Sequence, residues 1–364
     1  MYEEGAARIE AGEAFLNPKA RLSRDISVAY LLARGSVANA LDMTSATGIR
    51  GIRYAKECGI DDVTMLEINK NAFDSMAKNL RSNSMDNAKA YNTSVQEFCN
   101  MEDSPKFDAI DIDPFGSPAP YMYDALKVAH DGTSIMVTAT DTAVLCGAQP
   151  NACKKIYHSV PMHNELGHEA GVRILACFIA DLAAQFNFGI SVEFAFSYLH
   201  YIRVIVKLAH GSKHAVKSVN SSGFAYKCEH CGWIGMEKGY FTSIQSCPNC
   251  SHEILRSGRL WLGEIKSDAV AKKIGGRMTK MLKGRDPESK FVETVIHEGN
   301  TPFYYSIPKL TKLMHIRAVS PFDVVKSLQA SGIGASLTHF EKSCIKTEAD
   351  VNELKARISA IVKP

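Results

Sequence analysis

Residues 107–121 read FDAIDIDPFGSPAPY. Phe107, Ile110 and Ile112 interleave with charge and stop at Pro114, which has no N–H to give to a strand ladder. The stretch predicts a buried strand that ends by presenting Asp113, Pro114 and Phe115 at the lip of a sheet. Ligands of open α/β sheets sit beyond the carboxyl ends of the strands. An acceptor carboxylate, a rigid proline and a flat ring suit a planar base that carries an amine. The ring offers a stacking face and the carboxylate an oxygen for the N–H. Taken alone, the same residues also describe a strand and a tight turn, with Asp113 capping the next helix. The surrounding chain favours the first reading.

On either side lies an alternation of strands and helices. VANALDM (37–43) reads as a strand, and TSATGIRG runs through a turn into the helix IRYAKECG. VTMLEIN (63–69) is a second strand, with a helix from about Asn71 to Ser82. Asn87 to Thr93 is a third strand, FDAIDID the fourth and SIMVTAT (134–140) the fifth. Such alternation implies a parallel, doubly wound α/β sheet. Before it, ISVAYLLARG (26–35) has helical spacing and stops at Gly35. After it, residues 169–187 place Val172, Leu175, Phe178, Ile179, Leu182 and Phe186 on one helical stripe. ISVEFAFSYL and HYIRVIVKLA then read as an antiparallel hairpin at the sheet edge.

LDMTSATGIRG (41–51) follows a strand and opens a helix. Gly48 lets the backbone turn closely against a ligand, Ser45 stands in the same loop, and the helix-start N–H groups favour a polar or anionic group. The loop is neither a G-x-G-x-x-G nor a Walker sequence. About twenty residues on, Glu67 ends the second strand, where a carboxylate can accept both hydroxyls of a ribose. Without pyrophosphate-binding glycines, the pattern points to an adenosine lacking phosphates, and S-adenosylmethionine fits. Ser94 or the Val95 backbone, in the loop after the third strand, could meet the adenine edge, or Ser94 could simply cap a helix.

The second half differs in charge. Residues 1–199 hold 17 Lys and Arg against 25 Asp and Glu, a net of −8, whereas residues 200–364 hold 25 against 14, a net of +11. An acidic part beside a basic one suggests a polyanion held by one domain and processed by the other. The expected division is residues 1–212 and residues 213–364, with the polar GSKHAVKSVNSSG as a loop or hinge between them. Cys228, Cys231, Cys247 and Cys250 form CxxC–x15–CxxC, the spacing of a closed structural zinc site within 228–250. The other six cysteines are scattered and read as buried thiols. Residues 264–285 carry seven Lys or Arg against two acids in a mostly helical segment. From Pro308 the pattern is helix, turn, helix, then a Gly-rich turn to a short strand, a winged-helix-like layout in a C-terminal α+β domain.

DIDPFGSP (111–118), LDMTSATGIRGIR (41–53), TATDTAVLCGAQP (138–150), HEAGVRIL (168–175) and NPKARLSRD (17–25) together resemble the tRNA guanine-26 2-amino (di)methyltransferases, with the likeness running from about residue 13 to THFEKSCIKT (338–347). The resemblance implies a Rossmann-like methyltransferase domain, a tRNA-binding C-terminal domain, S-adenosylmethionine as methyl donor and tRNA as partner. It implies cofactor contacts at Arg24, Arg50, Glu67 and Ser94-Val95, a catalytic motif at Asp113, Pro114 and Phe115, and an active-site aromatic at Phe15. Ser94 stands where an acid is expected, and the cysteine knuckle occurs in only part of the family.

Two other readings remain open from the sequence: an amino-group methyltransferase acting on ribosomal RNA or DNA, and a non-catalytic RNA-binding regulator. At 364 residues and 46% hydrophobic, with no run of 18 apolar residues and an acidic start unlike a signal peptide, the chain is expected to be cytoplasmic and away from membranes. No obligatory protein partner is evident, and a monomer is expected.

Overall fold

The computed structural model describes residues 1–85 and 88–362. The chain opens with a short antiparallel hairpin, β1 (Tyr2–Glu4) and β2 (Ala7–Ile9), then a 3-10 turn at Pro18–Ala20 that leads into α1 (Arg21–Arg34). Strand–helix steps follow: β3 (Asn39–Asp42) to α2 (Ile49–Cys58), β4 (Asp62–Leu66) to α3 (Lys70–Ser82), and β5 (Lys89–Tyr91) to α4 (Val95–Cys99). β6 (Phe107–Ile112) leads to α5 (Ala119–Lys127), and β7 (Ala129–Ala139) to α6 (Thr142–Leu145), α7 (Pro150–Tyr157) and α8 (Gly167–Gln185). The long antiparallel pair β8 (Phe188–Tyr198) and β9 (Tyr201–His210) completes the sheet. The expected start of the third strand at Asn87 lies outside the described residues.

The spatial order is β5-β4-β3-β6-β7-β9-β8, parallel from β5 to β7 and antiparallel beyond. Strand order reverses between β3 and β6, which opens a crevice beyond their carboxyl ends. Alternation along the central strands feeds two cores. Ile110, Ile112, Ile135 and Val137 face one cluster, while Ala109 and Met136 face the other. The register makes Asp42 and Asp111 direct partners across β3 and β6, and both are buried. Two buried acids side by side in apolar strands are a polar device, not a packing choice.

Two expectations change. GSKHAVKSVNSSG is not a loop: Ser212–Val219 forms helix α9, which lies against β8. Ser218 Oγ accepts from Ile190 N at 2.7 Å, and any Cβ at Gly189 would sit 2.3 Å from His214 O. The segment reads as polar because only a narrow face, Ala215 and Ser218, is buried. Helix α8 also exceeds its expected single stripe and is buried nearly all round. Its Glu169 accepts from Arg173 Nε at 2.8 Å, Lys346 Nζ at 3.0 Å and Phe303 N at 2.8 Å. The helix therefore packs on the sheet on one side and on later parts of the chain on the other.

Beyond α9, β10 (Ser222–Lys227), β11 (Ile234–Lys238) and β12 (Leu255–Trp261) form a three-stranded sheet with β10 central. Helices α10 (Asp268–Met281) and α11 (Asp286–His297) follow, and α10 buries Ala271, Ile274 and Met278 in the same cluster as Ile26, Ala29 and Tyr30 of α1. The chain ends with β13 (Tyr305–Ser306), α12 (Ile307–Leu313), α13 (Pro321–Gln329), β14 (Ala335–Leu337), β15 (Cys344–Thr347) and α14 (Val351–Val362). The helix pair and small sheet have the winged-helix-like layout expected.

Candidate active site

A cleft of about 510 Å³ opens at the switch point. It is lined by the segment before α1 (Phe15) and the first turn of that helix (Arg24), the loop after β3 (Ser45) and the first turn of α2 (Arg50), the turn after β6 (Asp113, Pro114, Phe115), and the ends of β7 and β9. Phe15 is 65% and Phe115 93% exposed, yet the two rings face each other across the mouth, centroids 6.4 Å apart and planes at 75°. A flat base between two rings needs two contact distances, about 7 Å in all. The two rings stand edge to face with less than that spacing between them.

Asp113 stands behind those rings. Its backbone N–H donates to Thr44 Oγ1 at 3.1 Å, which ties the ends of β6 and β3 together. Arg50 donates to Asp113 Oδ2 from both Nε (2.9 Å) and Nη2 (2.5 Å). Burial pushes the Asp113 carboxyl up, but the Arg50 and Arg203 guanidiniums outweigh it and hold Asp113 below the usual carboxylate range. Arg203, wholly buried on β9, is fixed by Asp111 Oδ2 at 2.6 Å, Thr138 Oγ1 at 2.7 Å and Ser27 Oγ at 2.7 Å. Tyr54 completes the set with a 2.5 Å hydrogen bond to Asp111. Sequence reasoning did not single out Arg203. Its signal was a lone arginine in the otherwise apolar alternation of HYIRVIVKLA.

Three residues beside the cleft bury polar atoms that have no partner: both Asp42 carboxylate oxygens, Thr47 Oγ1 and Tyr201 Oη. Burial and the neighbouring Asp111 raise the Asp42 carboxyl to about 7. Such groups are costly unless a ligand satisfies them.

The residues expected to hold a cofactor divide into two sets. Arg24, Ser45 and Arg50 line the cleft. Arg24 is already committed, with Nε and Nη2 on Glu4 at 2.6 Å each and further bonds to Asn17 O at 3.2 Å, so it braces the Phe15 segment against the N-terminal hairpin. Gly48 and Glu67 adjoin the cleft without lining it, and Ser94 and Val95 are not among its lining residues. Gly48 adopts φ +78°, the left-handed region, and a Cβ there would come 2.9 Å from Met76 Cγ. Glu67 accepts from Ala46 N at 2.9 Å and Asn69 N at 2.8 Å, and so shapes the loop after β3. Ser94 is the N-cap of α4 in a reciprocal capping box with Glu97. Val95 is buried at the start of that helix.

Away from the cleft, Cys228, Cys231, Cys247 and Cys250 bring their four sulfurs within 4.8 Å of one another. The 228–250 and 231–247 pairs are each 3.6 Å apart. A tetrahedral zinc with Zn–S bonds of about 2.3 Å spaces its sulfurs about 3.8 Å apart, so the set fits a structural zinc with no open position. Gly232 (φ +83°) closes the first knuckle against Leu310 of α12, joining the ribbon to the winged-helix-like part.

The strand order, the switch-point cleft and the glycine turn after β3 define a Rossmann-like methyltransferase fold, with an aspartate-proline-phenylalanine site at its mouth. The family model described as N2,N2-dimethylguanosine tRNA methyltransferase matches residues 3–359. A tRNA (guanine(26)-N(2))-dimethyltransferase from Methanobrevibacter smithii is 32% identical, covering 99% of this chain and 97% of that protein. Its counterpart from Pyrococcus furiosus is 34% identical, covering 94% and 92%. A structure of Trm1 from Pyrococcus horikoshii with S-adenosyl-L-methionine superimposes with a TM-score of 0.88 at 30% identity, covering 98% of each chain. The chain belongs to the N2,N2-dimethylguanosine tRNA methyltransferase family.

Proposed function

We propose that this protein transfers methyl groups from S-adenosylmethionine to the 2-amino nitrogen of guanine 26 in tRNA. The observation that carries the reading is Asp113, held as an anion by Arg50 directly behind the facing rings of Phe15 and Phe115. When bound, S-adenosylmethionine supplies an electrophilic methyl group. The cleft suits it: Tyr201 and Thr47 offer unpaired polar groups in its wall, and Ser45, Arg50 and the Glu67-shaped loop surround it.

The 2-amino nitrogen of guanine is a weak nucleophile because its lone pair is shared with the ring. Asp113, with the Pro114 carbonyl as a second acceptor, pulls on the amine N–H bonds and offsets the positive charge that grows on nitrogen. A carboxylate with a low pKa is a poor base toward ordinary amines. A freshly alkylated aryl ammonium is far more acidic, so Asp113 still takes its proton, directly or through water. Phe15 and Phe115 grip the extruded base, and holding the reactants in line supplies much of the remaining rate.

In this reading the sheet domain, with α9 docked on β8, is the methyltransferase part, and the basic chain that follows α9 is the tRNA-binding part, stapled by zinc at the four cysteines. No helix among the described residues is long and apolar enough to cross a membrane, and the protein acts as a cytoplasmic monomer. The test is methyl transfer from labelled cofactor to tRNA transcripts carrying guanine or adenine at position 26, with nucleoside analysis of the product. Label in 2-methylated guanosine from the guanine transcript alone is expected. Equal labelling of both transcripts, or none, overturns the proposal.

A further inference from the structure

Asp141 follows β7 and occupies the N-cap of α6, where an aspartate ordinarily turns its carboxylate back onto a first-turn N–H. Asp141 makes no such bond. Its two oxygens accept instead from the Tyr157 hydroxyl, at 3.1 and 2.9 Å. Tyr157 has one proton to give, so the 2.7 Å contact between Tyr157 Oη and Ser117 Oγ runs from serine to tyrosine. The relay anchors a carboxylate that lines the same cleft as Asp113 and Phe115. The Phe115 turn is pinned to this strand end by Gly116 N on Thr140 Oγ1 at 2.7 Å and Thr140 N on Gly116 O at 3.0 Å.

Two carboxylates in one cleft are an unusual lining for an enzyme whose substrate is a polyanion. A carboxylate only accepts, so the ligand has to bring donors to both. Among the four ordinary RNA bases, guanine alone carries a ring N–H beside an exocyclic amine; adenine and cytosine present a ring acceptor there, and uracil has no amine. Burial also pushes the Asp141 carboxyl above its usual range, so a donor arriving from the ligand favours its anion.

We propose that Asp141 is the base-reading group of the cleft: its carboxylate accepts the guanine N1–H while Asp113 faces the adjoining 2-amino group, so the pair selects guanine. The assignment rests on the guanine methylation proposed above and adds the source of its base specificity.

The test compares tRNAs carrying guanine or 2-aminopurine at position 26. The analogue keeps the 2-amino group but has an acceptor, with no hydrogen, at N1. Wild-type protein should prefer guanine in kcat/KM by about ten- to a hundredfold, the size of one good base-edge contact. Asp141→Asn can turn an amide N–H toward an acceptor, so its preference should collapse toward unity or invert while cofactor binding holds. Tyr157→Phe leaves the carboxylate but removes its anchor, and should narrow the preference by about threefold or more. Both outcomes are read as ratios, which a merely structural role would leave unchanged. Wild-type protein active on guanine and equally active on 2-aminopurine, or variants that keep the wild-type ratio, overturn the Asp141 assignment alone. Wild-type protein inactive on the guanine tRNA overturns both proposals.

Discussion

Arg50 puts two donors on a single oxygen of Asp113, at 2.9 and 2.5 Å, so Oδ1 receives no hydrogen bond from Arg50. The same guanidinium lies 3.7 Å from Asp111, which Arg203 holds from the opposite side. The reactive strand end is thus charge-balanced from beneath by two buried arginines. Asp113→Ala and Asp113→Asn are each expected to lower methyl transfer at saturating cofactor by about a hundredfold or more, an order of magnitude typical of a lost general base or electrostatic stabiliser. Cofactor and tRNA affinities should stay near wild type. An Asp113→Asn protein turning over at wild-type rate would reduce Asp113 to a turn residue.

Arg50→Ala should behave differently, because it removes the cation bonded to Asp113 and leaves Asp111 to Arg203 alone. Breaking a buried ion pair costs about 3–5 kcal/mol. We expect a protein of that much lower stability in urea melts. Unchanged melting of Arg50→Ala would show that Arg203 alone balances the site.

Glu67 shapes the loop after β3 through Ala46 N and Asn69 N. Glu67→Ala should raise the cofactor concentration needed for half-maximal rate while leaving turnover at saturation. Glu67→Gln, which keeps acceptor oxygen but less charge, should fall between the two. Steady-state kinetics over cofactor concentration separate the cases, and a drop in kcat with unchanged KM would contradict this role.

Asp42 makes stability depend on pH. Its carboxyl is raised from an ordinary value near 3.8 to about 7 by burial and by Asp111. The folded protein therefore holds a proton that the unfolded chain releases. Its contribution is intact below the lower value and is lost as pH rises through the upper one. Each pKa unit is worth about 1.4 kcal/mol, so Asp42→Asn should gain a few kcal/mol over wild type above that window and nothing below it. Parallel pH-stability curves for the two proteins would refute a shifted Asp42.

Zinc should be present at one per chain. The only two tryptophans, Trp233 and Trp261, lie beside the knuckle and on β12. Chelation or Cys228→Ala should change tryptophan emission and weaken tRNA binding while cofactor binding survives. Metal analysis of freshly purified protein finding no zinc would remove the basis for this expectation.

On α10, Ala271, Ile274 and Met278 are buried while Lys272, Lys273 and Lys280 are exposed. Arg277 is spoken for, with Nη2 on Leu32 O at 3.0 Å. Neutralising the three lysines should make the dependence of log tRNA affinity on log salt shallower by about two, at roughly 0.7–0.9 for each phosphate left without its cation. Adding an Arg277 change should cost stability more than slope. An unaltered slope in the triple variant would place the tRNA elsewhere.

Contiguous stretches of the chain are legible in the sequence alone. Apolar alternation ending at Pro114 marked β6 and set Asp113 at its tip, the TSATG turn marked the start of α2, and the paired cysteines marked the zinc ribbon. Each of these is a pattern among near neighbours, written by strand periodicity, helix starts and ligand spacing. Residues that act across long chain separations left little trace. Asp113 and Arg50 are 63 positions apart, Arg203 and Asp111 are 92, and their pairing exists because β3, β6 and β9 reach one end of the sheet. Arg24 lines the cleft, and only the fold shows that it also gives donors to Glu4 and Asn17. Ser94 caps α4 in a box with Glu97, one of the two roles its sequence position offered. Asp141 finds its partner, Tyr157, 16 positions along the chain. Local spacing dictates which groups the chain offers, but a polar side chain's partner is fixed by strand order and register, because a buried charge takes whichever opposite charge the packing brings within reach.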